Sequence, residues 1–171
     1  MVRHRLHVDA EPFHRIATFG ECAGNDLLRR VLLADSGRTE EALAALDAAL
    51  AERSDDPQLL NSRCWLRATA NLELERALAD CNQSLEVRPD SPATLDSRAM
   101  VKLRLGQLDG AIEDANAALA LAPQLAASLY VRGIAHLRRG NAAAGQQDLT
   151  AARRLLFDID ATYRSYGVTP P

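Results

Sequence analysis

The stretch PATLDSRAMVKLRLGQLDGAIEDANAALALAPQL, residues 92–125, is followed at once by AASLYVRGIAHLRRGNAAAGQQDLTAARRLLFDI, residues 126–159. Laid over each other, they put Arg98 on Arg132, Ala99 on Gly133, Gly106 on Gly140, Asp114 on Asp148 and Ala118 on Ala152. The same register fits residues 57–91, where Arg63, Cys64, Asp80 and Ser84 take the places of Arg98, Ala99, Asp114 and Ala118, and Ala77 that of Ala111. It fits residues 23–56 with Arg29, Ala42 and Ala49. Only the second unit carries an extra residue, in the turn near Asn71. A fixed period of about 34 residues means stacked helical hairpins, each burying its apolar face only against its neighbours.

Local signals agree with the register. Small residues at Ala42, Ala49, Ala77, Ser84, Ala111, Ala118 and Ala152 let two antiparallel helices approach closely. Leu46, Leu50, Leu85, Leu119, Leu121 and Leu155 are expected to supply the apolar filling on the same stripes. Gly37, Gly106 and Gly140 fall between the two helices of their units, where a left-handed residue ends the first helix. Asp56-Pro57 and Ser91-Pro92 read as an N-cap followed by proline in the first turn. Pro89 and Pro123 stop the second helices.

The units resemble tetratricopeptide repeats, and the resemblance covers most of the chain. That family places a large apolar residue early in a first helix, a small residue four positions later, an alanine opening the second helix and a closing proline. The third unit matches with Leu95, Ala99, Ala111, Ala118 and Pro123, and the second with Leu60, Cys64, Ala77, Ser84 and Pro89. The fourth keeps Leu129, Gly133 and Ala152 but has Gly145 and Phe157 where alanine and proline are usual. The first departs most, with Asp26 and Ser54 in the apolar and proline places. The resemblance implies an all-α fold, a right-handed superhelix or α-solenoid of four repeats (23–56, 57–91, 92–125, 126–159). Residues 1–22 are then an N-terminal arm or cap, and 160–171 a C-terminal cap and tail.

Composition narrows the function classes. The 171 residues suit one domain with an adequate core. Aromatics are 4%, and strand-like alternation is confined to Val2, Leu6 and Val8 among Arg3, Arg5 and His7. A net charge of −3 with interspersed signs gives no footprint for nucleic acid. No apolar run approaches the roughly 18 residues of a membrane span, and residues 1–20 lack the apolar stretch of a signal peptide. Nearly all basic residues are arginine, Lys102 being the only lysine, which points to a bacterial source with a GC-rich genome. The three cysteines, Cys22, Cys64 and Cys81, are expected as thiols in a reducing, cytoplasmic setting, the last two as packing residues in small-residue columns.

Three constellations bear on chemistry. His4, His7, His14 and Cys22 have no common zinc spacing, so no metal and no cofactor is expected. His136 with Cys64 or Cys81 would be a nucleophilic pair, but the histidine has no acidic orienting partner in its helix turn. No glycine-rich phosphate loop, HExxH or GxSxG occurs, so no enzyme is expected. The third set recurs with the repeat: Arg63/Asp80, Arg98/Asp114 and Arg132/Asp148 are expected as a ladder of forked ion pairs tying helices within or between units. Arg29 occupies the same column, but its partner place is Ala45.

Function then rests on a groove. In the family the first helices line the concave wall, and a ligand peptide lies along it. Carried over, the wall holds Leu27 and Val31, Asn61 and Trp65, Asp96 and Met100, Tyr130 and Ile134, continued by Leu103, Arg104, Leu137 and Arg138. The repeats that hold chaperone C-terminal carboxylates use lysines and asparagines there; here only Asn61 is compatible. The expectation is an interaction scaffold binding a peptide or helix of a partner protein on an apolar track. The alternative is a structural or assembly module with a self-filled groove that forms a homo-oligomer, or an accessory part of a larger bacterial complex. Tyr163 and Tyr166 are expected to cover the exposed edge of the fourth unit.

Overall fold

The computed structural model describes residues 39–171. These form eight helices and, among the described residues, no strand: α1 (Thr39–Glu52), α2 (Pro57–Ala70), α3 (Leu74–Val87), α4 (Pro92–Arg104), α5 (Leu108–Leu121), α6 (Ala126–Arg138), α7 (Ala142–Leu155) and α8 (Ile159–Ser165). The arm 1–22, the expected first helix of the first unit with Leu27, Arg29 and Val31, its expected ending at Gly37, and the His4/His7/His14/Cys22 set lie outside the described residues.

Boundaries follow from capping chemistry. The Asp56 carboxylate accepts from the backbone N–H groups of Gln58 and Leu59, at 3.0 and 3.1 Å, ahead of Pro57. Ser91 Oγ accepts from Thr94 N ahead of Pro92 in the same way. Gly106 and Gly140, at φ +75° and +83°, end α4 and α6 in the left-handed region. The second unit has no glycine in this turn. Its extra residue is absorbed by Asn71 and Glu73, at φ 56° and 42°. Two arginines hold the Glu73 carboxylate there, Arg67 at 3.2 Å and Arg76 at 2.6 Å.

Each first helix packs on its own second helix, on the second helix before it and on the next first helix, so α2, α4 and α6 touch in series. The second helices α1, α3, α5 and α7 make no such contact with one another. The array therefore curves toward α2, α4 and α6, which form its inner wall. The close approaches run through fully buried Cys64, Ala77, Cys81, Ala99, Ala111, Ala115 and Ala118. Gly145 has a physical reason to depart from alanine: a Cβ there would sit 2.6 Å from Leu137 Cγ and 2.9 Å from the Gly133 carbonyl oxygen. Two leucines expected in the filling are outside it. Leu121 and Leu155, with Val87, end their outer helices one residue before the cap and stand half in solvent, at 49%, 45% and 51% exposure.

Candidate functional site on the inner wall

The charged ladder sits at the back of the wall and has three arms per rung. Arg63 donates through Nε and Nη2 to Asp80 at 2.9 and 2.6 Å, and through Nη1 to Asp47 on α1 at 2.6 Å. Arg98 grips Asp114 at 2.8 and 2.7 Å and reaches Asn82 of α3 at 2.9 Å. Arg132 grips Asp148 at 2.7 Å through both nitrogens and reaches Asn116 of α5, also at 2.7 Å. Each guanidinium thus ties an inner helix to its own outer helix and to the one before. A second cation joins two rungs, Arg67 on Asp80 at 2.5 Å and Lys102 on Asp114 at 2.8 Å. Hydrogen bonds to the Asp80 carboxylate hold the Arg63 guanidinium above its ordinary pKa against the effect of burial. A cleft lined by Asp47, Arg63, Arg67, Arg76 and Asp80 is part of this framework, its arginines engaged by carboxylates. The third arm was readable too: Asp47, Asn82 and Asn116 recur at the same distance after the alanine that opens each second helix.

On the front of the wall, the expected column is brought together but is not an open track. Met100, Leu103, Tyr130 and Ile134 are fully buried and Asp96 is 5% exposed. Asn61, Trp65, Arg104 and Leu137 are half-buried, and Arg138 is exposed. Leu137 points to the α6–α7 contact over Gly145. What covers the rest is the chain's own C-terminal segment, which reaches well past the edge of the fourth unit. Tyr163 lies on Tyr130, ring centroids 4.5 Å apart, and its hydroxyl donates to the Ala127 carbonyl at 3.4 Å. Tyr166 stands edge-on to Trp65 at 5.8 Å, two units back. Arg104 donates to the carbonyls of Thr69 and Tyr166. Gly167, at φ +74°, turns the chain so that Val168 is buried with Ile159, Tyr163, Met100 and Ile134 in one cluster.

Electrostatics along this front are unusual for a purely packing surface. Burial pushes the Asp96 carboxyl up to about 7, a shift only partly offset by the Ser128 hydroxyl donating to it at 2.6 Å. Burial, and then the neighbouring Arg138, lower the pKa of Arg104. Tyr130 donates to Asp160 at 2.9 Å and is raised to about 12, first by burial and then by that carboxylate. Among the described residues Asn61 Oδ1 and Arg104 Nε are buried without a hydrogen-bond partner.

The cysteine reading needs correction. Cys64 and Cys81 are joined in a disulfide between α2 and α3, so neither is a free thiol and no His136–cysteine nucleophilic pair exists. The argument from thiols to a reducing compartment falls with it. Both cysteines stand where two small-residue columns cross, which is why they read as packing residues. The crossing also brings their β-carbons within bonding range, as Arg63 and Asp80, one position earlier on each helix, already reach each other.

Eight helices packed as inner and outer rows, with repeating small-residue contacts and a shared inner wall, define a tetratricopeptide-type helical-repeat fold. Solved structures carry the same fold. A MamA double mutant designated RS-1 ArsTM aligns at TM-score 0.63 and 24% identity over 80% of this chain and 75% of its own. A MamA designated MSR-1 aligns at TM-score 0.59 and 16% identity over 70% and 68%. A tetratricopeptide repeat protein from Parabacteroides merdae aligns at TM-score 0.59 and 21% identity over 82% of this chain and 56% of its own. No protein-family model and no curated protein matches the chain. No helix among the described residues is long and apolar enough to cross a membrane.

Proposed function

We propose that this chain is a protein-interaction scaffold that takes a short helix or peptide of a partner protein on its inner wall. The wall runs from Asn61 and Trp65, past Asp96 and Arg104, to Tyr130 and Arg138. One observation carries this reading: the wall already holds a peptide segment, the chain's own, by two aromatic contacts and a guanidinium on a backbone carbonyl. Such a combination, an aromatic anchor beside a donor that takes main-chain oxygens, is how grooves grip segments of varied sequence. Buried Asn61 Oδ1 and Arg104 Nε retain hydrogen-bonding capacity for a ligand. The test is capture of a partner from the native cell by the full chain and by Trp65→Ala. Loss of capture by a variant that remains folded supports the reading; unchanged capture with a lowered melting temperature ends it.

A second reading, an assembly module, is favoured by the row of exposed apolar ends on the outer helices. Val87, Leu121 and Leu155 lead to Phe157, which is 81% exposed. Light scattering distinguishes the two, since assembly requires a stable oligomer that Phe157→Ser weakens.

A further inference from the structure

We infer that the segment Ile159–Val168 is a built-in competitor for the partner site, and that the partner segment shares its chemistry. This rests on the inner wall being the partner site. The chemistry is specific: two aromatic side chains three residues apart on one helical turn, then a left-handed turn and an aliphatic residue.

The contacts define that pattern residue by residue. Tyr163 on α8 and Tyr166 at its C-terminal cap, still in right-handed helical conformation, are three positions apart and fall on the same side. The first ring fills the place over Tyr130, and the second reaches Trp65. The Tyr166 carbonyl is held by Arg104, which also binds the Thr69 carbonyl and so is anchored to the wall independently of the tail. The Val168 amide closes the turn onto the Tyr163 carbonyl at 2.9 Å, which seats the valine side chain in the same cluster. Nothing in this pattern requires covalent attachment to α7.

The segment is also built to leave. Its helix has seven residues, too few to persist without the wall. The helix packs on α6 and α7, with Tyr166 and Val168 reaching on to α2 and α4, and Ala161, Arg164, Ser165, Gly167 and Thr169 on its far side are exposed among the described residues. Its first turn is tethered by Arg153 on Asp160 at 2.7 and 2.9 Å and by Tyr130 on the same carboxylate. Release of Tyr163 to Val168 therefore leaves a hinge at Asp160. A tethered segment competes at an effective concentration on the order of millimolar, so a tail of roughly micromolar intrinsic affinity masks the site by about 100-fold or more.

The test uses full-length protein and a labelled peptide of the tail itself, residues 158–171 (DIDATYRSYGVTPP). The double variant Tyr163→Ala/Tyr166→Ala should bind this peptide at least ten-fold tighter than the wild type does. A peptide with both tyrosines replaced by alanine should bind neither protein. Trp65 emission should shift to longer wavelength in the double variant and return when the peptide is added. If burying Tyr163 proves indispensable for folding, Tyr166→Ala alone carries the same comparison. Equal affinity for wild type and variant, or no binding to a folded variant whose Trp65 is exposed, overturns the inference. So does a variant-dependent dimer, which would assign the segment to exchange between copies. Capture of a cellular partner that depends on Trp65 but is indifferent to the tail variants would leave the scaffold reading standing and end this one.

Discussion

The ring of Tyr166 stands edge-on to the indole of Trp65, centroids 5.8 Å apart and planes at 87°. That contact joins the last turn of the chain to its second repeat unit, and it makes the only tryptophan a reporter of the tail. Tyr166→Ala should red-shift Trp65 emission, raise its quenching by acrylamide and cost about 1–2 kcal/mol. Tyr166→Phe should do none of these, because the ring supplies the contact. An unshifted spectrum in the alanine variant would mean that the tail does not rest on Trp65.

The ladder predicts unequal effects for one aspartate. Asp114 is 4% exposed and accepts from Arg98 twice and from Lys102. Asp114→Ala leaves two half-buried cations facing an apolar gap and should cost about 2–4 kcal/mol. Asp114→Asn keeps one acceptor and should cost less. Urea midpoints compare them, and a midpoint unmoved by alanine would reduce the ladder to solvated charge.

The repeat register was legible because its signals are local: caps at Asp56 and Ser91, left-handed glycines at Gly106 and Gly140, small residues at the helix crossings. The Arg–Asp rungs were legible for the same reason, since a periodic sequence repeats its pairs. Less visible was anything that breaks the period. The tail occurs once, so no column could show that Tyr166 passes the fourth unit and reaches Trp65. The cysteines occur as a pair in one unit only, so their columns show packing alone, and the expectation of thiols is overturned by the bridge. Leu121 and Leu155 were misread because a helix end offers an apolar residue no neighbouring turn to lie under.

The Cys64–Cys81 bridge closes a separation of 17 residues across the α2–α3 hairpin. Constraining a loop of that length in the unfolded chain contributes about 3 kcal/mol. Reduction, or Cys64→Ala with Cys81→Ala, should therefore lower the denaturation midpoint by that order while leaving the helical fold. The alanines fit, since Ala99 and Ala115 occupy the same places in the next unit. Equal stability of oxidised and reduced protein would refute the bridge as a staple.

Gly145→Ala inserts one methyl where Leu137 Cγ is 2.6 Å away and the Gly133 carbonyl 2.9 Å. Helix propensity alone favours the change by about 1 kcal/mol. The backbone oxygen cannot yield as a side-chain end can, so overpacking should win and the variant should lose about 1–3 kcal/mol. Adding Leu137→Ala to it should recover only part of the loss. A stabilised Gly145→Ala would show that the α6–α7 contact is looser than its geometry.

Asp96 gives the last prediction, and its sign is fixed by linkage. Its carboxyl titrates at about 7 when folded against an ordinary value of 3.8. Between those values the folded protein holds a proton that the unfolded chain has released. The contribution is complete below about pH 4 and is lost as pH rises through about 7. Each unit of pH within that window is worth up to about 1.4 kcal/mol. Asp160 has its value lowered, first by the hydrogen bonds from Arg153, so its own contribution is lost only in stronger acid. Above about pH 5 the slope therefore belongs to Asp96 and not to that pair. Stability should fall by about 2–3 kcal/mol from pH 5 to pH 8. A buried carboxylate that ionises draws in water, and Asp96 lies near enough to act on Tyr163, so the tail packed there should loosen first, seen as a red shift of Trp65 emission over the same range. Asp96→Asn, which still accepts from Ser128, should flatten both curves. A slope that survives in Asp96→Asn would place its origin in another group.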